Sequence, residues 1–183
     1  MLRNLSSRIY GFDDAIRAFD ARERAPAGTL TIIGEGTELA RYRRLAARLR
    51  APVTFVPRTV PHDELPDVLS RYAMLLNPTS RDTQGVTMCE AMALGLPVVA
   101  YRVAGIPEYV RDGLDGVLVE KGDILGLRAG VERVAEDGAF RAAAGSSAAR
   151  FVRQICDPDR IAGEELRVLA GAVPGLRGST GSE

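Results

Sequence analysis

The chain has 183 residues, enough for one domain with a substantial core, and its 46% apolar and 26% charged residues are typical of a globular protein. The formal net charge is zero, which argues against a nucleic-acid partner and against strong attraction to anionic membranes. No apolar run approaches the roughly 18 residues of a membrane span and no signal peptide is recognisable. We therefore expect a cytoplasmic protein and leave open peripheral contact at the inner membrane face.

The few histidines and cysteines limit which disulfide bonds and metal sites the chain could form. The two cysteines, Cys89 and Cys156, are far apart in the sequence and lie in apolar stretches, so we expect reduced core thiols and no disulfide framework. His62 is the only histidine, and without a His/Cys cluster there is no metal-site signature. The sequence therefore predicts a protein without a metal or a tightly bound cofactor.

The first part of the chain alternates between helical and strand-like patterns. Thr37 is a candidate N-cap, and Pro66 falls near the first turn of its helix, where proline is tolerated. The predicted elements are a helix over 11–25, a strand over 28–36, a helix over 37–50, a strand over 52–57 and a helix over 62–73.

The alternation continues through the second part. A strand over 74–78, a loop over 79–83, a helix over 84–95, a strand over 97–102, a helix over 106–113 and a strand over 115–123 are predicted. Gly95 is a natural residue to close its helix. From Ile124 to about Ala172 the pattern is helical, with breaks expected near Gly145 and at Asp157-Pro158. Residues 173–183 are rich in Gly and Ser, which predicts a flexible tail.

Strand and helix alternate about five times with short loops, which predicts an α/β domain over residues 1–172 with a doubly wound, Rossmann-like parallel sheet. Ligands of such sheets bind outside the carboxyl ends of the strands. Four predicted strand ends are therefore candidate site segments: 34–36, 57–58, 78–85 and 102–107. The Gly34-x-Gly36 pair lacks the full dinucleotide fingerprint and favours a tight strand-to-helix turn.

The stretch RDTQGVTMCEAMALGLPVVAYRVAGIPEYV, residues 81–110, supplies two of these ends and carries two acids around a glycine. Gly85 permits close approach of the backbone to a ligand, and the amides that open the next helix form an anion site. Glu90 lies four residues after Val86 on the same helix face, where it could accept hydrogen bonds from ribose hydroxyls. Asp82 could hold a sugar hydroxyl in the same way. This pattern indicates a nucleotide sugar, and the alternative is helix capping with solvated acids.

Residues 82–120 closely resemble the donor-binding segment of the family 4 glycosyltransferases with the GT-B fold. The shared pattern is an acid, seven residues, Glu-Ala-Met-Ala-x-Gly-x-Pro-Val-Val-Ala, and then Gly-Ile-Pro-Glu. The stretches GTLTIIGEGTELARYRRLA and VTFVPRTVPHDELPDVLSRYAMLLNPTS match the family in order and spacing, so the resemblance covers roughly residues 1 to 155. It implies the C-terminal, donor-binding half of a GT-B fold.

The resemblance assigns roles to residues around the two acids. Glu90 matches the acid that bonds the ribose hydroxyls, and Asp82 matches the acid, usually Glu, that contacts the transferred sugar. The family's backbone approach to the sugar and the diphosphate falls on Gln84, Gly85 and Val86. The Thr87 hydroxyl adds a phosphate contact, and the loop along which the nucleobase lies matches Pro57 and Arg58.

The basic residues of the family are matched less completely. Arg3 matches an Arg that neutralises the diphosphate leaving group, a charge pairing that stabilises the transition state without a metal. The family's Lys-Gly step reads Tyr10-Gly11 here, and Arg8 is the candidate replacement for the missing Lys. The resemblance thus nominates Asp82, Glu90, Arg3 and Arg8 as catalytic residues. His62 precedes two acids at a helix start and favours a capping role.

The implied activity is transfer of a sugar, with retention, from a nucleotide-diphosphate sugar to an unidentified acceptor. The sequence begins where the family's second domain begins, so an N-terminal acceptor-domain partner or self-association is expected. The alternative is a non-catalytic nucleotide-sugar-binding remnant or subunit. A GT-B-type epimerase is disfavoured, because such enzymes use further acids and a His in both domains.

Overall fold

The computed structural model describes residues 1–22, 24–83 and 85–172, with side chains as far as residue 169. Two of the sequence predictions lie outside these residues, namely the role of Gln84 and the flexible tail over 173–183.

Five strands form two hydrogen-bonded groups, and the strands within each group run parallel. The strands are β1 (Leu30–Ile33), β2 (Val53–Val56), β3 (Leu75–Asn77), β4 (Val98–Tyr101) and β5 (Gly116–Val119). β1 pairs with β2, while β4 pairs with β3 on one side and β5 on the other. An N-terminal segment, Met1–Leu5, runs along the free edge of β1, where Leu2 forms a parallel bridge with Ile33.

Helices cover both faces of the strands. They are α1 (Phe12–Ala18), α2 (Leu39–Arg48), α3 (Leu65–Leu69), α4 (Val86–Ala93), α5 (Ile106–Tyr109), α6 (Ile124–Glu136), α7 (Gly138–Ile155) and α8 (Pro158–Ala172), with 3₁₀ turns at Arg8–Tyr10 and His62–Glu64. The predicted α/β architecture with a parallel sheet is confirmed. The strands form two paired groups, because the N-terminal segment pairs with β1 and no ladder joins β3 to it within the described residues.

The two cores follow from the period of a strand, since successive side chains point to opposite faces. On β4, Val99 and Tyr101 pack with α1, α2 and α6. Val98 and Ala100 pack with α3, α4, α5 and α7. All four side chains are buried, which explains why this strand reads as a continuous apolar run.

Several helix-boundary predictions are wrong. The helix predicted over 11–25 ends at Ala18, and the helix predicted over 106–113 ends at Tyr109. α7 runs through Gly145 without a break. The chain instead breaks at Asp137, whose carboxylate caps α7 by accepting from the Phe140 amide at 2.8 Å. Gly145 is required for close packing, because a Cβ there would lie 2.1 Å from the Gly95 carbonyl oxygen.

Thr37 is not a helix cap. α2 begins at Leu39 after Glu38, and no side chain caps it. The Thr37 amide donates to the Ser6 hydroxyl at 3.2 Å. The break before Pro158 and the helix-closing role of Gly95, which has φ of 83°, are confirmed.

Within the described residues, neither Cys89 nor Cys156 forms a disulfide bond. Although far apart in sequence, Cys89 on α4 and Cys156 after α7 are brought into hydrogen-bond contact. Burial, together with the neighbouring Cys156, raises the pKa of the Cys89 thiol to about 12. Cys89 is therefore a protonated, weakly nucleophilic thiol at neutral pH.

Candidate functional site

The loops that follow β1 and β2 face the N-terminal segment and the start of α4 across a cleft of about 390 Å³. We call it the strand-end cleft. Its lining includes Arg3, Tyr10, Glu35, Arg58, Thr59 and Thr87. Three residues predicted from the sequence, Arg3, Arg58 and Thr87, therefore share one cavity at the edge of the sheet where ligands of parallel α/β domains bind.

Asp82 and Arg3 form a short, mostly buried ion pair beside this cleft. Arg3 Nη2 donates to Asp82 Oδ2 at 2.7 Å, and the two side chains are 21% and 14% exposed. Asp82 Oδ1 accepts from the Gly85 amide at 3.0 Å. The Arg3 guanidinium carbon also lies 5.1 Å from the centre of the Tyr10 ring. Two residues nominated separately from the sequence, Arg3 and Asp82, are thus in direct contact.

The start of α4 supplies unpaired donors. Gly85 is buried in the left-handed region with φ of 63°, and no side chain caps the helix. The amides of Met88 and Cys89 donate back to the Gly85 carbonyl at 2.7 and 3.1 Å. Within the described part of the chain, the amides of Val86 and Thr87 have no hydrogen-bond acceptor. Two open amides at the positive end of a helix can hold an anion.

Glu90 lies one turn further along α4 and meets a residue that the sequence did not connect to it. Glu90 Oε1 is 3.2 Å from Nδ1 of His62, with side chains 24% and 86% exposed respectively. The prediction that His62 caps a helix is wrong, because Pro61 is the N-cap and no side chain caps that turn. The contact joins residues far apart in sequence and leaves no local pattern.

Arg8 is placed differently from Arg3. Its side chain is 69% exposed, and its acidic neighbour is Glu38, at 3.5 Å. Arg3, rather than Arg8, contacts Asp82. The turn that carries Arg8 is nevertheless fastened to the loop after β3, since the Ser80 amide donates to the Ile9 carbonyl at 2.7 Å.

The residues predicted for the nucleobase loop lie at the other side of the cleft. Arg58 lines the cleft and donates to Glu64 at 2.7 Å, and Pro57 is exposed beside it. Tyr10, Glu35 and Thr59 also line the cleft but were given no role from the sequence. The available signal was that Glu35 lies in the candidate segment 34–36, Thr59 follows the candidate segment 57–58, and Tyr10 stands in place of the family's Lys.

Neither a metal-binding cluster nor a membrane-spanning helix is found among the described residues. No group of three or more His, Cys, Asp or Glu side chains in the described ranges is arranged to hold a metal ion. None of the described helices has both the length and the apolar character needed to cross a membrane.

A Rossmann-like parallel sheet with a polar cleft at its strand ends is the class of domain that the fold and the site define. Residues 1–137 match the family described as glycosyl transferases group 1. The chain belongs to that family.

Two curated relatives show the extent of the likeness. The chain is 28% identical over 166 residues to a 2-deoxystreptamine N-acetyl-D-glucosaminyltransferase of Streptomyces fradiae, covering 90% of this chain and 34% of the relative. It is 36% identical over 148 residues to a glycogen synthase of Mycobacterium tuberculosis, covering 79% of this chain and 34% of the relative. The chain therefore spans about a third of the length of these relatives.

A solved structure of Anabaena HepE in complex with UDP supports the fold. It superposes with a TM-score of 0.81 at 23% identity, over 93% of this chain and 47% of that chain. The likeness to structures of this kind supports a Rossmann-like half of a GT-B fold.

Proposed function

We propose that the chain is the C-terminal, donor-binding half of a family 4 retaining glycosyltransferase, which holds a nucleotide-diphosphate sugar at the strand-end cleft. The observation that carries the proposal is the contact of Arg3 with Asp82 beside the open amides of Val86 and Thr87. It puts a positive charge, an anion-binding helix start and a hydroxyl-binding carboxylate at one place.

Each group has a separate task in this proposal. The amides of Val86 and Thr87 and the Arg3 guanidinium bind the diphosphate, which is negatively charged. Asp82 accepts hydrogen bonds from the transferred sugar, and Glu90 accepts them from the ribose. Arg58 and Pro57 lie along the nucleobase. Arg8 is proposed as a mobile second cation, because its exposed side chain can turn away from Glu38.

The chemical step breaks the bond between the anomeric carbon and the diphosphate oxygen. The electron pair of that bond goes to the leaving diphosphate, where Arg3 and the helix amides stabilise the added charge. An acceptor hydroxyl forms the new glycosidic bond on the same face of the sugar and passes its proton to the departing diphosphate. No metal is needed if these fixed donors carry the charge, and two cysteines that do not form a disulfide fit a cytoplasmic compartment.

The relatives give independent support. One similar protein, from Mycolicibacterium smegmatis, is named a GDP-mannose-dependent mannosyltransferase and is 33% identical over 144 residues. HepE has been crystallised with UDP-glucose as well as with UDP. These names concern those proteins, and they favour a nucleotide-sugar donor here.

Calorimetry with a panel of UDP-, GDP- and ADP-sugars tests the proposal. We expect one donor to bind, and Glu90→Ala to weaken that binding by about tenfold, as expected when ribose hydrogen bonds are lost. Glu165→Ala removes an exposed acid on α8 and is the matched control, expected to bind normally. Absence of binding to every donor would overturn the proposal.

A second candidate is a nucleotide-sugar-binding subunit that does not transfer sugar by itself. It is favoured by the fact that the chain spans only 34% of its first relatives. An N-terminal acceptor-domain partner would then complete the enzyme. Sugar transfer by the purified chain alone, measured with the donor that binds, would exclude this candidate.

A further inference from the structure

The Arg3 guanidinium makes a single hydrogen bond, through one of its nitrogens. Arg3 Nη2 donates to Asp82 Oδ2 at 2.7 Å, and the guanidinium makes no other hydrogen bond within the described residues. A guanidinium carries several N–H donors in a planar fork, so one such bond leaves the group free to turn about that contact. A second contact is needed to fix the direction in which the remaining donors point.

The ring of Tyr10 supplies this second contact. The Arg3 guanidinium carbon lies over the ring, 5.1 Å from its centre, which is within the roughly 6 Å over which an aromatic face attracts a cation. The attraction is stronger where water is partly excluded, and the Arg3 side chain is only 21% exposed. Arg3 is therefore held from two sides, by the Asp82 carboxylate and by the Tyr10 ring. We call these two groups the Arg3 clamp.

Aromatic packing holds Tyr10 itself in place. Its ring meets the ring of Phe12 edge-on, with the two centres 6.5 Å apart and the planes at 76°, a favoured arrangement of aromatic pairs. The Phe12 ring is fully buried and lies 5.2 Å from the ring of Tyr42, which is also fully buried. The face that Arg3 contacts is therefore attached to the core of the domain.

The turn that carries Tyr10 is fastened to the loop that carries Asp82. The Ile9 carbonyl accepts from the Ser80 amide at 2.7 Å and from the Ser80 hydroxyl at 3.2 Å. Gly11, with φ of 68°, approaches the same loop so closely that a Cβ would lie 1.8 Å from one of its carbonyl oxygens. These backbone contacts set the distance between the two halves of the clamp.

We propose that Tyr10 is a positioning residue, which holds the Arg3 guanidinium so that its remaining donors point to the diphosphate of the nucleotide sugar. The aromatic ring performs this task, and the hydroxyl does not. Tyr10 and Arg3 line the strand-end cleft together with Thr87, whose amide is one of the two open helix donors. A guanidinium that is fixed in advance loses less conformational freedom on binding. This role in binding rests on the proposed function, whereas the clamp itself does not.

A neutral ring suits this position for an electrostatic reason. The Asp82 carboxylate already offsets the charge of the Arg3 guanidinium. A second carboxylate in place of the Tyr10 ring would make the group net negative, and it would repel a diphosphate. An aromatic face holds the cation without adding a full charge. The alternative is a ring that only fills space beside Phe12.

Proton NMR of the Arg3 side chain in the free chain tests the clamp without any ligand. Protons over an aromatic face resonate upfield, so the Arg3 side-chain signals, assigned by their loss in Arg3→Lys, should lie upfield of those of exposed arginines. The displacement should persist in Tyr10→Phe and disappear in Tyr10→Leu, which keeps apolar volume but has no aromatic face. Undisplaced Arg3 signals in the unaltered chain would overturn the proposal.

Calorimetry with the nucleotide sugar that binds measures the effect on the site. Tyr10→Leu should weaken binding about fivefold, as expected for the loss of a partly desolvated cation–π contact. Tyr10→Phe keeps the ring and should bind within about twofold of the unaltered chain. Tyr72→Leu alters a half-buried tyrosine that precedes β3, at the other end of that strand, and is the matched control, expected to bind normally. A loss in Tyr10→Phe as large as that in Tyr10→Leu would assign the effect to the hydroxyl and overturn the proposal.

A double-mutant cycle separates positioning from space filling. If Tyr10 acts through Arg3, Tyr10→Leu should cause no further loss of donor binding in a chain that already carries Arg3→Ala, because the two changes remove the same interaction. Additive losses would mean that Tyr10 acts on the fold or on the ligand by another route, and they would overturn the proposal.

The NMR and binding measurements also separate this proposal from the proposed function. Upfield Arg3 signals that depend on the Tyr10 ring, without binding of any nucleotide sugar, would count against the proposed function alone and leave Tyr10 as the residue that positions Arg3. Normal donor binding with undisplaced Arg3 signals would count against the positioning role alone.

Discussion

The two strand groups differ in how firmly they are built, and the candidate site lies between them. In the β3–β4–β5 group, β4 is buried on both faces, and α7 crosses α4 at the close contact of Gly145 with Gly95. In the β1–β2 group, β2 has no fully buried residue, and the free edge of β1 is only partly covered by Met1–Leu5. The more fully buried β3–β4–β5 group carries both acids of the site, Asp82 after β3 and Glu90 on α4.

Each of those acids contacts a basic residue from the β1–β2 side of the molecule. Asp82, after β3, contacts Arg3 of the N-terminal segment, and Glu90 on α4 contacts His62, which follows β2. The strand-end cleft draws on both groups as well, because Arg3 and Arg58 line it together with Thr87 of α4, although Asp82 and Glu90 are not among its lining residues. A perturbation that loosens the β1–β2 group should reach the site through Arg3 and His62, even if the acids stay in place.

The largest expected difference between the groups is in their pH dependence. The Met1 amino group has a folded pKa of about 5 against 8.0 when unperturbed, so between these values the unfolded chain binds more protons. Stability should therefore rise as pH increases from about 5 to 8, by at most about 4 kcal/mol at 1.36 kcal/mol per pKa unit. Urea unfolding across this range measures it.

An Nα-acetylated chain is the control for this prediction. It has no titrating amino group, so its stability should lose this dependence between pH 5 and 8. The same slope in acetylated and free chains would contradict the burial of the Met1 amino group.

The β3–β4–β5 group should respond at lower pH. Burial opposes ionisation of Asp115, but hydrogen bonds from Arg111 and Ser147 outweigh it, so the Asp115 pKa is lowered. A depressed folded pKa stabilises the fold above the unfolded pKa of about 3.9, and this contribution is lost as pH falls below it. Arg111→Ala leaves the buried carboxylate without its 2.7 and 2.8 Å contacts and should cost about 3 kcal/mol.

Arg102→Ala is the matched surface variant for Arg111→Ala. Arg102 pairs with Asp112 at 2.7 Å, but both side chains are more than a third exposed. Its loss should change stability by less than about 1 kcal/mol in the same unfolding experiment. Equal losses of unfolding free energy for Arg111→Ala and Arg102→Ala would show that the buried Arg111–Asp115 pair stabilises the fold no more than an exposed pair.

The two candidate cations of the site should separate in donor binding. Arg3→Ala removes the mostly buried partner of Asp82 and should weaken nucleotide-sugar binding by about tenfold, or about 1.4 kcal/mol. Arg8→Ala removes a largely exposed cation and should weaken it by less than about threefold, because exposed charges are screened. Calorimetry with the bound donor measures both, and a larger loss for Arg8→Ala would reverse the assignment.

The sequence predicted well where the determinants are local. The four residues of β4 are apolar because both faces of that strand are buried, and Gly95 ends its helix because it adopts a positive φ. The predicted helix break at Gly145 was wrong because the role of this glycine depends on a distant contact. Its role depends on the carbonyl of Gly95 from another helix, and a glycine needed for packing looks the same in sequence as one that breaks a helix.

The candidate site shows the same division between local and distant contacts. Asp82, Gly85 and Glu90 stand out because one loop and one helix carry them. The partners that hold the acids, Arg3 and His62, come from other strand ends. His62 could not be connected to Glu90 without knowing that the loops after β2 and β3 are neighbours in space.

The smallest expected effect is that of His62→Ala, which tests whether His62 positions the Glu90 carboxylate or only touches it at the surface. His62 is 86% exposed, and its Nδ1 lies 3.2 Å from Glu90 Oε1, so His62→Ala should change unfolding stability by less than about 0.5 kcal/mol. If His62 only touches the carboxylate, donor binding should also stay within about threefold, since an exposed side chain loses little on release. A loss as large as that of Glu90→Ala in calorimetry would instead show that His62 holds the acid in place, which would make the β1–β2 group responsible for the geometry at both acids.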